Sequence, residues 1–173
     1  RLGELSLLTS EERRHMLLEW NHTTVLVPFS AGIDALIEAQ VERTPDAIAV
    51  ICGDESLSYH ELNRRANRVA RALQQLGVCA DLPVGLCVER SVVAIVALLG
   101  ILKAGGGYVP LDPSFPDDRL QVMLDEAKIS IVVTQRHLRS QLHSYGGQVC
   151  DVESLCDFNV SEQDANLALP VLP

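Results

Sequence analysis

Between Leu62 and Leu76 the apolar residues Leu62, Ala66, Val69, Leu73 and Leu76 recur at spacings of four and three, with polar side chains between them. That rhythm predicts an amphipathic helix with one buried stripe. Ser58 stands ahead of it and Glu61 follows three positions on, the spacing of a capping box. Gly77 comes where a left-handed C-cap is wanted. Upstream, Ala47–Cys52 and Ser56–Ser58 flank Gly53-Asp54 and predict two short strands joined by a turn. Downstream the pattern alternates. Pro83–Val88 reads as a buried strand, Ser91–Ala104 as a nearly all-apolar helix and Tyr108–Leu111 as a strand. Pro116 opens the next helix, with Asp117 and Asp118 near its positive end and Leu120, Met123, Leu124 and Ala127 facing inward. Ile129–Thr134 is a further strand, Arg136–Leu142 a short helix and Gln148–Val152 a final strand. Strands alternating with helices predict an α/β fold, with a mostly parallel sheet covered by helices on both faces.

The two ends read differently. Thr9 with Glu12 forms another capping box, and Met16, Leu17 and Trp20 share one face of the short helix it opens. Such a helix cannot bury Trp20 and Leu17 by itself and calls for a neighbour. A second helix spans Ile33–Arg43, striped by Ile33, Leu36, Ile37, Gln40 and Val41, and Thr44-Pro45 stops it. Leu167–Pro173 is apolar, but Pro170 and Pro173 are out of place in a central strand.

With 173 residues of which 47% are hydrophobic, the chain can bury a real core. Only 4% are aromatic, so Leu, Val, Ile and Ala must supply it. The net charge of −9 argues against nucleic acid as a partner, because phosphate neutralisation needs clustered cations. Arg64, Arg65, Arg68 and Arg71 are the one local concentration, read here as a solvated helix face. The apolar run Val92–Leu102 has eleven residues, short of the roughly 20 a membrane span requires, so no membrane partner is expected. Arg1–Ser10 carries no targeting pattern. Cys52, Cys79, Cys87, Cys150 and Cys156 form no Cys-x-x-Cys pair and read as free thiols of a cytoplasmic protein.

The densest local chemistry is Leu102–Pro113, Leu-Lys-Ala-Gly-Gly-Gly-Tyr-Val-Pro-Leu-Asp-Pro. Lys103 falls in the last helical turn, where a cation suits the negative end of the dipole. Gly105 can take the positive φ that ends the helix, Gly106 and Gly107 permit close backbone approach, and Pro110 and Pro113 stiffen the exit. These glycines follow a helix instead of opening one, and neither Gly-x-Gly-x-x-Gly nor Gly-x-x-x-x-Gly-Lys-Ser/Thr occurs. Direct phosphate binding by this turn is therefore not expected. The histidines show no ligand spacing, and the acidic pairs Glu11-Glu12, Asp117-Asp118 and Asp125-Glu126 point apart on their helices. No Gly-x-Ser-x-Gly elbow occurs. No catalytic residue, bound cofactor or metal ligand is expected in this chain.

That string resembles the second core motif of adenylation domains in nonribosomal peptide synthetases, carried by Leu102, Lys103, Ala104, Gly105, Tyr108, Val109, Pro110, Leu111, Asp112 and Pro113. Gly107 stands where the family usually has alanine, which implies a looser turn. Leu57, Ser58, Tyr59, Glu61 and Leu62 are similar to the first core motif, in the expected order. Leu7–Arg13 with Trp20-Asn21 resembles the linker that precedes such domains. The resemblance implies a condensation–adenylation linker over residues 1–28. Over 29–173 it implies the N-terminal part of an adenylate-forming (AMP-binding) domain, ending before the Ser/Thr/Gly-rich phosphate loop expected just after Asn166-Leu167-Ala168. An intact parent would use ATP and Mg²⁺ to make an aminoacyl-adenylate, then pass the acyl group to the phosphopantetheine thiol of a carrier domain, in secondary metabolite biosynthesis. Its partners would be a condensation domain upstream and the carrier domain downstream. In that reading the motif residues of this chain are scaffold, and the chain alone is inactive. Two other readings stand beside it: a degenerate or truncated adenylation remnant serving as an interaction module, and, more weakly, part of an acyl-CoA ligase.

Overall fold

The computed structural model describes residues 8–24, 32–157 and 165–167, in two compact units, Arg1–Ser30 and Ala31–Pro173. In the first unit the Thr9 cap forms in both directions. Glu12 N donates to Thr9 Oγ1 at 3.2 Å, and Thr9 N donates to Glu12 Oε2 at 2.8 Å. Helix α1 (Ser10–Arg14) runs on into a π-helical stretch, His15–Glu19. Asn21 Nδ2 closes it by donating to the Met16 carbonyl at 2.8 Å. Trp20 lies edge-on to His15 and is 65% exposed, and Leu17 is exposed as well. Both remain the unsatisfied apolar face that their sequence implies.

The second unit begins with α2 (Ile33–Arg43) and an antiparallel hairpin, β1 (Ile48–Cys52) and β2 (Glu55–Ser58), turning at Gly53 with φ of 60°. Then follow α3 (Tyr59–Gln75), β3 (Pro83–Cys87), α4 (Val92–Lys103), β4 (Gly107–Pro110), α5 (Asp117–Glu126), β5 (Ile131–Thr134), a 3-10 segment (Arg136–Leu142), β6 (Gln148–Asp151) and α6 (Val152–Cys156). The four later strands pair in parallel in the order β4-β3-β5-β6. Period-2 alternation splits their side chains between two layers. Val84, Leu86, Ile131 and Val133 pack with α3 and α4, while Cys87 and Val132 pack with Leu120 and Leu124 of α5. The sheet is covered on both faces, as the alternating pattern predicts.

α3 and α4 meet closely. A Cβ on Gly100 would lie 2.5 Å from Val69 Cγ1, so only glycine allows the two helices this approach. Helices α3, α4 and α5 all end in the same way. The second residue past each C-cap bonds back five positions, Val78 N to Leu73 O, Gly106 N to Ile101 O and Ile129 N to Leu124 O, each at 3.0 Å. Gly77, Gly105 and Lys128 supply the positive φ that this Schellman geometry needs. All five cysteines are free thiols. Among the described residues no helix is long and apolar enough to cross a membrane.

Several sequence expectations are corrected. The capping box at Ser58 is half made: Ser58 Oγ accepts from Glu61 N at 3.2 Å, but the Glu61 carboxylate turns to Arg64 and Arg65. Two nearby guanidiniums outcompete one backbone amide for it. Arg64, Arg65, Arg68 and Arg71 are accordingly half-buried and engaged, not a solvated face. On α2, Ile33 and Leu36 are exposed, so the predicted stripe is buried only in part. Pro116 caps α5 from outside instead of opening it as the first helical residue. Val152 begins α6 instead of ending β6. Residues 168–173, including Pro170 and Pro173, lie outside the described residues.

Candidate functional site

In an open parallel sheet, ligands gather beyond the carboxyl ends of the strands, near the point where connections diverge. Here β3 leads to β4 on one side, and the chain then crosses to β5 on the other. A cleft of about 820 Å³ opens at those carboxyl ends. Val88, Glu89 and Arg90 enter it from the loop after β3, Pro110, Asp112 and Phe115 from the end of β4 onward, and Leu138 and Gln141 from the 3-10 segment.

Its walls are held by hydrogen bonds between and within these loops. Glu89 N donates to Gln135 Oε1 at 2.7 Å, and Thr134 Oγ1 donates to the Cys87 carbonyl at 2.8 Å, fixing the ends of β3 and β5 together. Ser114 N donates to Asp112 Oδ1 at 2.8 Å. The Ser114 hydroxyl and amide, with Arg90 and Arg119 farther off, hold the Asp112 carboxyl below its usual range. The Arg119 guanidinium sits 4.0 Å above the Phe115 ring. Cleft charges are exposed, and the walls between them are apolar. Among the described residues no group of three or more His, Cys, Asp or Glu is placed to hold a metal ion. The cleft can pack and bind.

The two sequence motifs do not converge on it. Leu57 and Leu62 enter the core beside Leu99, Ile101 and Ala104, while Tyr59 begins α3 and Ser58 caps it. From the second motif only Tyr108, Pro110, Leu111, Asp112 and Pro113 reach the cleft, with Val109 packing beneath. Leu102 and Gly105 close the helix end. Gly106 makes the expected close approach, since a Cβ there would meet Val78 Cγ1 at 3.0 Å and Leu82 O at 3.1 Å. Gly107 does not. It lies past the turn as the first residue of β4, and a Cβ on it would meet nothing within 4 Å. Lys103 lies in the last turn of α4 as expected, and it is buried, 1% exposed, with its ammonium paired with Glu38 of α2. Glu38 and the buried amides Asn63 and Asn67 carried no local signal, because their partners lie far along the chain.

A sequence model described as "AMP-binding enzyme" matches residues 37–168. The chain belongs to the AMP-binding enzyme family. It is 46% identical over 155 residues to gramicidin S synthase 2 of Brevibacillus brevis, an alignment covering 89% of this chain and 4% of that protein. Its fold matches the nonribosomal peptide synthetase FmoA3, solved in an AMPPNP-bound form, with a TM-score of 0.78 and 36% identity over 87% of this chain and 16% of that one. A four-domain nonribosomal peptide synthetase, AB3403, solved with AMP and glycine, matches at a TM-score of 0.67 and 31% identity, over 72% of this chain and 9% of that one. The chain is thus a stretch of a nonribosomal peptide synthetase adenylation domain, with the α/β fold of its N-terminal subdomain. It spans a small fraction of the length of the relatives it matches.

Proposed function

We propose that this chain forms part of the scaffold of an amino-acid-activating adenylation domain, with residues 1–28 as the linker from a preceding condensation domain. In the intact protein an amino-acid carboxylate attacks the α-phosphorus of ATP, forming a mixed anhydride with AMP and releasing pyrophosphate. The carrier domain's phosphopantetheine thiol then attacks the carbonyl and AMP leaves. Such phosphoryl chemistry depends on positioning and charge neutralisation. Among the described residues no group of three or more His, Cys, Asp or Glu is placed to hold Mg²⁺. Their part is to build one wall of the subdomain and to present the Tyr108–Pro113 rim. The cytoplasm, where free thiols persist, is the compartment this reading assigns.

The observation that carries the reading is the second motif in place. Its Schellman-capped helix end and edge strand deliver Tyr108–Pro113 to the carboxyl-end cleft, in a fold shared with a synthetase solved with a nucleotide analogue. The experiment is amino-acid-dependent ATP–pyrophosphate exchange. The 173-residue chain alone should give none above background, and the full-length protein that carries it should respond to one amino acid or a few. Exchange by the chain alone overturns the scaffold role. A full-length protein silent with every amino acid favours the remnant, and one that responds to other carboxylic acids with coenzyme A favours a ligase.

A further inference from the structure

Helix α2 is fastened to the body of the fold by little apolar surface. None of its residues is buried, and Ile33 and Leu36 stand exposed. Ile37, half-buried, is its contact with the apolar cluster of α3 and α4. Gly32 opens the helix without a side-chain cap, and the Gln40–Thr44 hydrogen bonds at its far end stay local. One bond crosses. Glu38, in the middle of α2, pairs with the Lys103 ammonium. Among the described residues this is the one side-chain hydrogen bond from α2 to another element. Lys103 is the single charged residue of α4 and is sealed from solvent in this arrangement. A buried ion pair is close to break-even against the same two charges in water, because desolvation offsets the attraction. When α2 lifts away both charges hydrate, so opening loses little beyond the Ile37 contact. Elements with so few buried apolar contacts open locally, ahead of the global transition.

We propose that Glu38 and Lys103 form a latch, and that α2 opens as a unit about it while the parallel sheet and helices α3 to α6 stay folded. The open form differs in one chemical respect: the Lys103 amine, sealed in the closed form, comes within reach of solvent and its solutes. The lysine of the second motif is thus a gated amine beside the turn that carries Tyr108–Pro113 to the cleft. Glu38 is the catch. Without it the closed form strands a buried cation, and opening relieves that cost. The latch belongs to α2 and α4 themselves, so it stands or falls independently of the adenylation reading.

Lys103 and Lys128 are the only lysines of this chain, and Lys128 is exposed, so it calibrates an amine-acylating reagent within the same molecule. Cys87, fully buried at the end of β3, reports the global transition through alkylation by iodoacetamide. The full-length protein is treated at pH 8 with N-hydroxysuccinimide acetate or iodoacetamide, in urea up to about 1 M. Mass spectrometry of the peptides that hold the three residues gives each rate relative to the unfolded protein. Lys103 should be protected against Lys128, yet at least about a hundredfold less than Cys87. Across the urea range its rate should stay within about twofold, while that of Cys87 climbs about tenfold. Glu38→Ala should raise Lys103 acylation about a hundredfold. Glu38→Gln, which keeps the size and an acceptor, should raise it about tenfold and serves where the alanine variant does not fold. Equal protection of Lys103 and Cys87 with one shared urea slope means that α2 leaves only with the core, and overturns the proposal. Lys103 acylation at the wild-type rate in the folded Glu38 variants overturns it too.

Discussion

Lys103 and Glu38 form an ion pair across 65 positions of sequence, joining the last turn of α4 to the middle of α2. The ammonium is almost fully buried and the carboxylate keeps 20% of its side-chain surface in water. That asymmetry decides which partner can be removed. Truncating Glu38 strands a buried cation, whereas truncating Lys103 leaves a carboxylate that can still hydrate. Glu38→Ala should therefore cost about 3 kcal/mol and Lys103→Met about 1 kcal/mol. The double variant Glu38→Leu/Lys103→Met should lie within about 1 kcal/mol of wild type. Urea midpoints at constant m check all three. Equal costs for the two single variants would contradict the asymmetry.

Gly105 and Gly107 should separate cleanly under alanine substitution. Gly105 has φ of 94°, and a Cβ there would sit 3.3 Å from Ala80 N, so Gly105→Ala should cost about 1–2 kcal/mol. Gly107→Ala adds a Cβ in open space and should be neutral or stabilising by about 0.5 kcal/mol. Thermal midpoints of the two variants should move in opposite directions, or the second not at all.

Glu61 makes stability depend on acid. Hydrogen bonds from Arg64 and then Arg65, with their charges, hold its carboxyl down to about 2 from an ordinary 4.5. A depressed carboxylate favours the folded state above its unfolded value, and the gain is lost as pH falls from about 4.5 to about 2. Glu61→Gln should flatten the stability profile in that window and leave the slope above pH 6 unchanged. Denaturation midpoints at four or five pH values suffice, and a variant whose acid limb matches wild type would refute the assignment.

Close packing of α3 on α4 gives a compensating pair. Gly100→Ala should destabilise by about 1–3 kcal/mol, because the new methyl overlaps the buried Val69. Val69→Ala should cost a similar amount by leaving a void. Combined, the two changes should recover at least about 1 kcal/mol relative to their sum. Strict additivity in a double-mutant cycle would show that the helices do not touch there.

Much of this fold is legible in the chain because burial is periodic. The stripe Leu62, Ala66, Val69, Leu73 finds α3, and Gly77 and Gly105 mark two of the three helix ends that need a left-handed residue, the third being Lys128. What escapes is whatever depends on a distant partner. Lys103 reads only as a cation in a last helical turn until Glu38 is brought beside it, and Glu61 reads as a capping residue until Arg64 and Arg65 compete for it. Asn63 and Asn67 look like ordinary polar positions of an amphipathic helix because Asn166 comes so much later. The cleft is legible only in outline. Alternating strands and helices place it at the carboxyl ends, but its walls are loops without periodicity.

Strand β4 bonds to β3 along one side, and among the described residues its other side has no strand beside it. An unpaired row of amides and carbonyls is a template for a second polypeptide, so concentrated preparations of this chain should self-associate along it. The charge of −9 on each copy opposes that contact. Added salt screens the repulsion beyond about 8 Å at physiological strength, so dilute, low-salt buffer should keep the preparation monodisperse.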